Sequence, residues 1–246
     1  VLQALQQLAQ AKSAASLSSV VQALQKGLPQ DFRFGTQNSA AGDALVQLFR
    51  SNAGQADVSR ALLPLAAFVQ GSASLDQSIA VVAQELLSSA QASEAGIDER
   101  LDALGILLDL PTWRAAAIQA SAGLIGPHLP PEAQERLIRA LARTEDLGAA
   151  SLLSKAFPTV THVTRDAIFR EIIQRPSWTE RLLDEIEEGE ISVGELGPRR
   201  VFRLREHSNQ ATAERAKRVL DELTTPSPDM EQLIAQILPI LQQPAD

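Results

Sequence analysis

Imidazole in this chain is limited to three side chains, His128, His162 and His207, and there is no cysteine. A metal site built from histidines needs them clustered, most simply as H-x-x-x-H or H-E-x-x-H on one helix. Neither spacing occurs, so these residues read as structural or solvent-exposed. The lack of Cys removes disulfides, thiolate metal sites, Cys nucleophiles and haem attachment within these residues. Serine is plentiful, but no G-x-S-x-G turn presents one as a nucleophile, and neither a G-x-x-x-x-G-K nor a G-x-G-x-x-G phosphate loop is present. Hydrolase, NTPase and dinucleotide chemistry thus lose their usual signals together. We read the chain as non-catalytic, with no catalytic, cofactor-binding or metal-binding residue in it. An enzyme would need an unrecognised site in a groove between helices.

Two charge clusters remain. Asp184, Glu185, Glu187, Glu188 and Glu190 surround the end of one predicted helix, and Arg199, Arg200, Arg203 and Arg205 begin the next. Paired carboxylates can hold Ca²⁺, but acids within one helical turn do not form a cage, and the alternating D-x-D-x-D loop is absent. The plainer reading is a solvated acidic face that meets the Arg face across a helix hairpin, at under about 1 kcal/mol per exposed pair. Arg199 and Arg203 are four apart on one face, the spacing to grip a partner's carboxylates bidentately. A second candidate contact is the aromatic pair Phe32 and Phe34 in the non-periodic stretch 29–42, unless those rings tuck under their loop to anchor it.

The elements that must position these groups are helices. Apolar residues make up 45% of the 246, mostly Ala and Leu, with 4% aromatic residues and no Tyr. Ala and Leu lose little on entering a helix, and the β-branched and aromatic residues that fill strands are scarce. Residues 1–93 balance five bases (Lys12, Lys26, Arg33, Arg50, Arg60) against five acids (Asp31, Asp43, Asp57, Asp76, Glu85), so the net charge of -8 falls entirely on 94–246. An acidic surface repels phosphate backbones, which argues against a nucleic-acid partner. No apolar run reaches the roughly 18 residues a membrane span needs. The start, Val1-Leu2-Gln3, has neither an initiator Met nor a basic leader, and we expect a fragment of something longer.

Apolar steps of three and four place helices at about 2–13, 17–24, 44–50, 58–69 and 74–87. They continue at about 97–109, 111–125, 131–143, 145–156, 161–174, 177–188, 198–206, 208–223 and 228–241. Ser74-x-x-Gln77, Ser177-x-x-Glu180 and Ser192-x-x-Glu195 match the capping box. Pro111 and Pro131 suit first-turn positions, and Gly126 and Gly189 suit helix ends. The Ser/Ala-rich 88–95 is a linker or short turn. It separates a neutral lobe, 1–93, from an acidic one, 94–246, unless both belong to one continuous array. Successive helix pairs recur at roughly 31–34 residues, the period of stacked two-helix repeats. The fold class is therefore all-α, a HEAT-like α-solenoid of stacked antiparallel pairs with roughly 12–14 helices.

A resemblance is carried by Arg175-Pro176-Ser177-Trp178, then Leu182 to Ile191 (LLDEIEEGEI), then Leu196, Arg200, Leu204, His207 and Glu214-Arg215-Ala216. This order, spanning mainly 156–223, resembles a region of the PVC-type haem-binding proteins, which are also described as membrane-bound dehydrogenases. Those bacterial proteins join a β-propeller to a helical, HEAT-like region and a cytochrome c-like domain with a C-x-x-C-H motif. The resemblance implies a helical connector from an exported or periplasmic redox protein. No C-x-x-C-H and no propeller repeat is present here, so no haem ligand or redox role passes to any residue of this chain. The expected function is a helical-repeat connector or protein-interaction domain, with neighbouring domains or a protein as partner. The alternative is the helical part of a dehydrogenase that forms a docking surface for its haem domain or substrate.

Overall fold

The computed structural model describes residues 39–51, 62–63 and 73–224. Among them every regular element is a helix: α1 (Ser39–Ser51), α2 (Ala73–Gln91), α3 (Ile97–Leu108), α4 (Arg114–Ala122), α5 (Pro131–Ala142), α6 (Leu147–Lys155), α7 (His162–Ile173), α8 (Pro176–Glu187), α9 (Val193–Leu196), α10 (Pro198–Arg205) and α11 (Gln210–Thr224). The all-α reading therefore holds for the described residues. The helices expected at 2–13, 17–24 and 228–241, most of the one at 58–69, and the loop with Phe32 and Phe34 lie outside them. Among the described residues no helix is long and apolar enough to cross a membrane.

Contacts divide the chain into two units, Val1–Thr144 and Glu145–Asp246. In the first, α2 packs on α1, α3 and α4, and α3 packs on α4 and α5. Helix α3 buries Leu101, Leu104, Leu107 and Leu108, spaced three and four apart so that one stripe faces inward. Helix α5 does the same with Leu137, Ile138 and Leu141 and begins with Pro131 at its first turn, where a missing N–H costs nothing. The turn before α5 is stitched by buried Gln134, whose Nε2 donates to the carbonyls of Gly126 (2.8 Å) and Leu129 (2.7 Å).

In the second unit, α8 is the central helix and packs on α6, α7 and α11, while α10 packs on α9 and α11. Its inward stripe is Trp178, Leu182, Leu183 and Ile186, all with essentially no exposed surface. Thr179 Oγ1 donates to the Ile172 carbonyl at 3.0 Å and fixes the bend from α7 into α8. Helix α8 closes at Gly189 (φ 75°). There the Glu190 N–H reaches the Glu185 carbonyl (2.9 Å) and the Gly189 N–H the Ile186 carbonyl (3.1 Å). This is a Schellman closure, whose left-handed residue is most easily a glycine.

Several details depart from the sequence reading. The shift from neutral to acidic composition at 93/94 falls in the turn between α2 and α3, which pack on each other, whereas the two units meet at 144/145. Arg100 Nε donates to the Ala90 carbonyl at 2.9 Å across that turn. Surface charge follows solvent, and core continuity follows the apolar stripes. Helix α2 runs to Gln91, so Ser88 to Gln91 is helix, not linker. Of the Ser177 and Ser192 capping boxes, only Ser192–Glu195 forms, with the Ser192 side chain accepting from the Glu195 N–H (3.3 Å) and Glu195 accepting from the Ser192 N–H (3.0 Å). At Ser177 the preceding Pro176 already occupies the first helical position, and α2 starts at Ala73, ahead of Ser74. Pro111 lies in a turn before α4 rather than in its first turn, and α4 ends at Ala122, short of Gly126.

Candidate functional site

The two sequence-predicted arginines sit on α10, which follows Gly197 (φ 75°, ψ 161°), a conformation open essentially to glycine alone. Pro198 then starts the helix, and its four arginines divide between two roles. Arg200 and Arg205 belong to the packed side: Arg200 donates to Asp166 (2.8 Å) and to the Leu196 carbonyl (2.8 Å), and Arg205 to Asp221 (2.6 Å). Arg199 is exposed and has no hydrogen bond or ion pair among the described residues. Arg203 is exposed too, with its guanidinium 5.5 Å from the ring centroid of Phe169 and no carboxylate paired to it. Between them stands Phe202, 65% exposed. Residues 199, 202 and 203 share one helical face, so α10 presents an exposed ring flanked by Arg199, without a partner among the described residues, and Arg203, which lies over Phe169 and has no carboxylate.

The acidic cluster is solvated at Glu187, Glu188 and Glu190 but not at Glu185, and most of it is tied to cations. Glu180, Asp184 and Glu187, one stripe of α8, converge on Arg215 of α11, with Nη1 on Glu180 (2.7 Å) and Nη2 on Asp184 (2.6 Å) and on Glu187. The Arg face of α10 is not their partner. Burial works against the Arg215 charge, but the three carboxylates more than offset it and hold its pKa above the usual value. Glu190 pairs with Lys155 of α6 at 3.0 Å. Glu185 is fully buried, with Oε1 accepting from Arg181 Nε at 3.2 Å and Oε2 left without a hydrogen bond. The sequence carried signals for both arrangements. Glu180, Asp184 and Glu187 at i, i+4 and i+7 mark a stripe that one cation can face, and position 185 lies three after Leu182 and seven after Trp178, on the apolar side.

The histidines stay apart. His128 and His162 are exposed. His207 is buried, accepts from the Asn209 N–H at Nδ1 (3.0 Å), and so carries its proton on Nε2, which donates to the Ile173 carbonyl at 3.0 Å. Among the described residues no three His, Asp or Glu side chains are grouped to hold a metal ion.

In the first unit a cleft of about 750 Å³ runs between α3 and α5, over Leu101, Gly105 and Ile106. Apart from Glu132, its charged residues are already paired: Arg136 with Asp98 (3.1 Å) and Asp102, Arg139 with Glu135, and Arg143 with Asp109 (3.7 Å). Burial pushes the Asp109 carboxyl up, and Arg143 and Arg114 counter only part of that.

One spacing recurs in these contacts. Arg136 to Asp102 and Arg143 to Asp109 span 34 residues in the first unit. Arg200 to Asp166 and His207 to Ile173 also span 34 in the second. There Arg215 to Glu180 spans 35. No family model, curated protein or solved structure matches the chain.

Proposed function

We infer that this chain is a non-catalytic helical-repeat module that holds neighbouring domains or a protein partner, with the outward side of α10 as its contact surface. The observation that carries this reading is the 34-residue step at which polar contacts join helices in both units. That step supports a HEAT-like stack of helix pairs, in which each pair buries its stripe on the next and the outward positions are left for partners. Most charges on α3, α5, α8 and α11 are paired with each other. Arg199, Phe202 and Arg203 are the group left to bind outward, and an aromatic flanked by guanidinium groups is the composition of an interface anchor.

The resemblance over 156–223 adds a context: a connector between a propeller and a cytochrome c-like domain in an exported redox protein. Reading the gene beyond Asp246 tests it. A C-x-x-C-H within a few tens of codons supports the connector, and a stop codon there sinks it. A narrower reading makes α10 a docking surface for that haem domain, and the exposed Phe202 between Arg199 and Arg203 favours it. Titrating the haem domain into the wild-type chain and into Arg199→Glu/Arg203→Glu tests that reading. The charge reversal should weaken binding at least about tenfold, and equal affinities rule these arginines out.

A further inference from the structure

We propose that Glu185 is a proton-operated latch in the seam between α6 and α8, closed when its carboxyl holds a proton and loosened when the proton leaves.

The geometry starts from a misplaced acid. Glu185 points inward from α8 between the buried Leu182 and Ile186, and none of its side chain is exposed. A carboxylate in such a place needs its lone pairs filled, and an unfilled buried one is costly. Oε1 has one donor, Arg181 Nε one turn back, from a side chain that is itself 30% exposed. Oε2 is buried without a hydrogen bond. Ser151 and Ser154 of α6 bring their hydroxyls to the carboxyl and favour its charged form, as does Lys155, but the Ser154 hydroxyl donates to the Ala150 carbonyl (3.0 Å) and the Lys155 ammonium is turned to Glu190 (3.0 Å). The charges on the other helices packed against α8 are committed elsewhere. Arg215 of α11 holds Glu180, Asp184 and Glu187, and on the α7 side Glu171 is held by Arg175 (3.0 Å).

A neutral carboxyl suits this site better, because it removes the buried charge and supplies an O–H for the serine oxygens. Burial accordingly pushes the Glu185 carboxyl above its ordinary value of 4.5, and Ser151, Arg181, Ser154 and Lys155 offset only part of the rise. For an acid whose folded pKa is raised, the stabilisation is fully present below the unfolded value and is lost as pH rises through the folded one. The seam is therefore tightest in mild acid and slackens towards neutral pH.

The mechanical output is the turn after α8. The main-chain carbonyl of Glu185 takes the N–H groups of Glu190 (2.9 Å) and Ile191 (3.2 Å), and Lys155 reaches from α6 to Glu190 in that same turn. Once ionised, Glu185 competes with Glu190 for Lys155. A swing of that ammonium inward releases the α6 tie to the turn. The latch does not depend on the partner surface of α10, so either can fail alone.

Two measurements on the full chain test it. The first follows the Glu185 carboxyl by carbon-13 NMR through a pH titration, with Glu185→Gln used for assignment. Its midpoint should lie above 4.5, and a midpoint at or below that value overturns the latch. The second compares hydrogen exchange of α6 and of residues 188–191 at about pH 5 and about pH 8, after correction for intrinsic rates. Protection in the wild type should fall across this range, by up to about tenfold for each unit by which the midpoint is raised. Glu185→Gln should abolish that fall, and an unchanged profile in the variant overturns the proposal. Should that variant fail to fold, wild-type exchange decides alone: protection that does not fall with pH rejects the latch.

Discussion

In the first unit, the ion pairs between α3 and α5 sit in water. Arg136 leaves 46% of its side chain exposed, and its partners Asp98 and Asp102 leave 92% and 66%. In the second unit, Arg215 leaves 23% exposed among three carboxylates, and Glu185 leaves nothing exposed. Helix starts differ in the same way. Asp146, Thr161 and Ser192 accept hydrogen bonds from the first turns of α6, α7 and α9, whereas Gly96, Trp113 and Pro130 before α3, α4 and α5 provide no side-chain cap. Among the described residues both units bury leucine stripes, and the second adds a fully buried carboxylate and three side-chain-capped helices, although α8 and α10 start without such a cap. Burial converts charge from a screened surface feature into a determinant of register.

The sharpest way to break this contrast is at Trp178. The chain has two tryptophans, and Trp113 belongs to the first unit, so Trp178→Ala leaves a fluorophore that reports that unit alone. We expect a loss of about 3–5 kcal/mol in the second unit, read by backbone circular dichroism in urea, with the Trp113 transition unmoved. Next is Arg215→Ala, which strands three carboxylates and should lose about 1.5–3 kcal/mol with little response to salt. The equivalent Arg136→Ala should lose less than about 1 kcal/mol and nothing measurable in about 1 M salt. Equal losses would erase the difference between the units. Ser192→Ala removes the capping box before α9 and should cost about 1 kcal/mol in the same denaturation. The smallest effect is a gain: Gly96→Asp adds the missing cap to α3, where an added Cβ meets nothing within 4 Å, and should raise the first unit's stability by a few tenths of a kcal/mol.

The helices α3 to α8, α10 and α11 were legible because their apolar stripes, Pro131 and Gly189 are local signals that each act within a few residues. The sequence spacing of roughly 31–34 residues between successive helix pairs is near the 34-residue separation of several polar contacts, because both follow from helices and turns of similar length. The fate of the charges was not legible. Which cation meets Glu180, Asp184 and Glu187 depends on a helix some 30 residues away, and Arg200 and Arg205 differ from Arg199 and Arg203 in the carboxylates that other helices bring to them. Ser177 matched a capping box in letters, but Pro176 already fixes φ one residue earlier. Glu185 reads as one of five solvated acids because four other acids lie within five residues of it, although on the helix it shares the apolar side with Leu182 and Ile186.

The repeated step of 34 residues, between Arg200 and Asp166 and between His207 and Ile173, has a consequence for how the chain acquires its structure. Each such contact closes a loop of the same modest length, and closure entropy grows only as the logarithm of that length. None of these pairings among the described residues need wait for a distant part of the polypeptide. Once the 34 residues after an early helix have been synthesised, its partner is already present. The chain can therefore condense progressively as it leaves the ribosome, with the low contact order that goes with rapid folding.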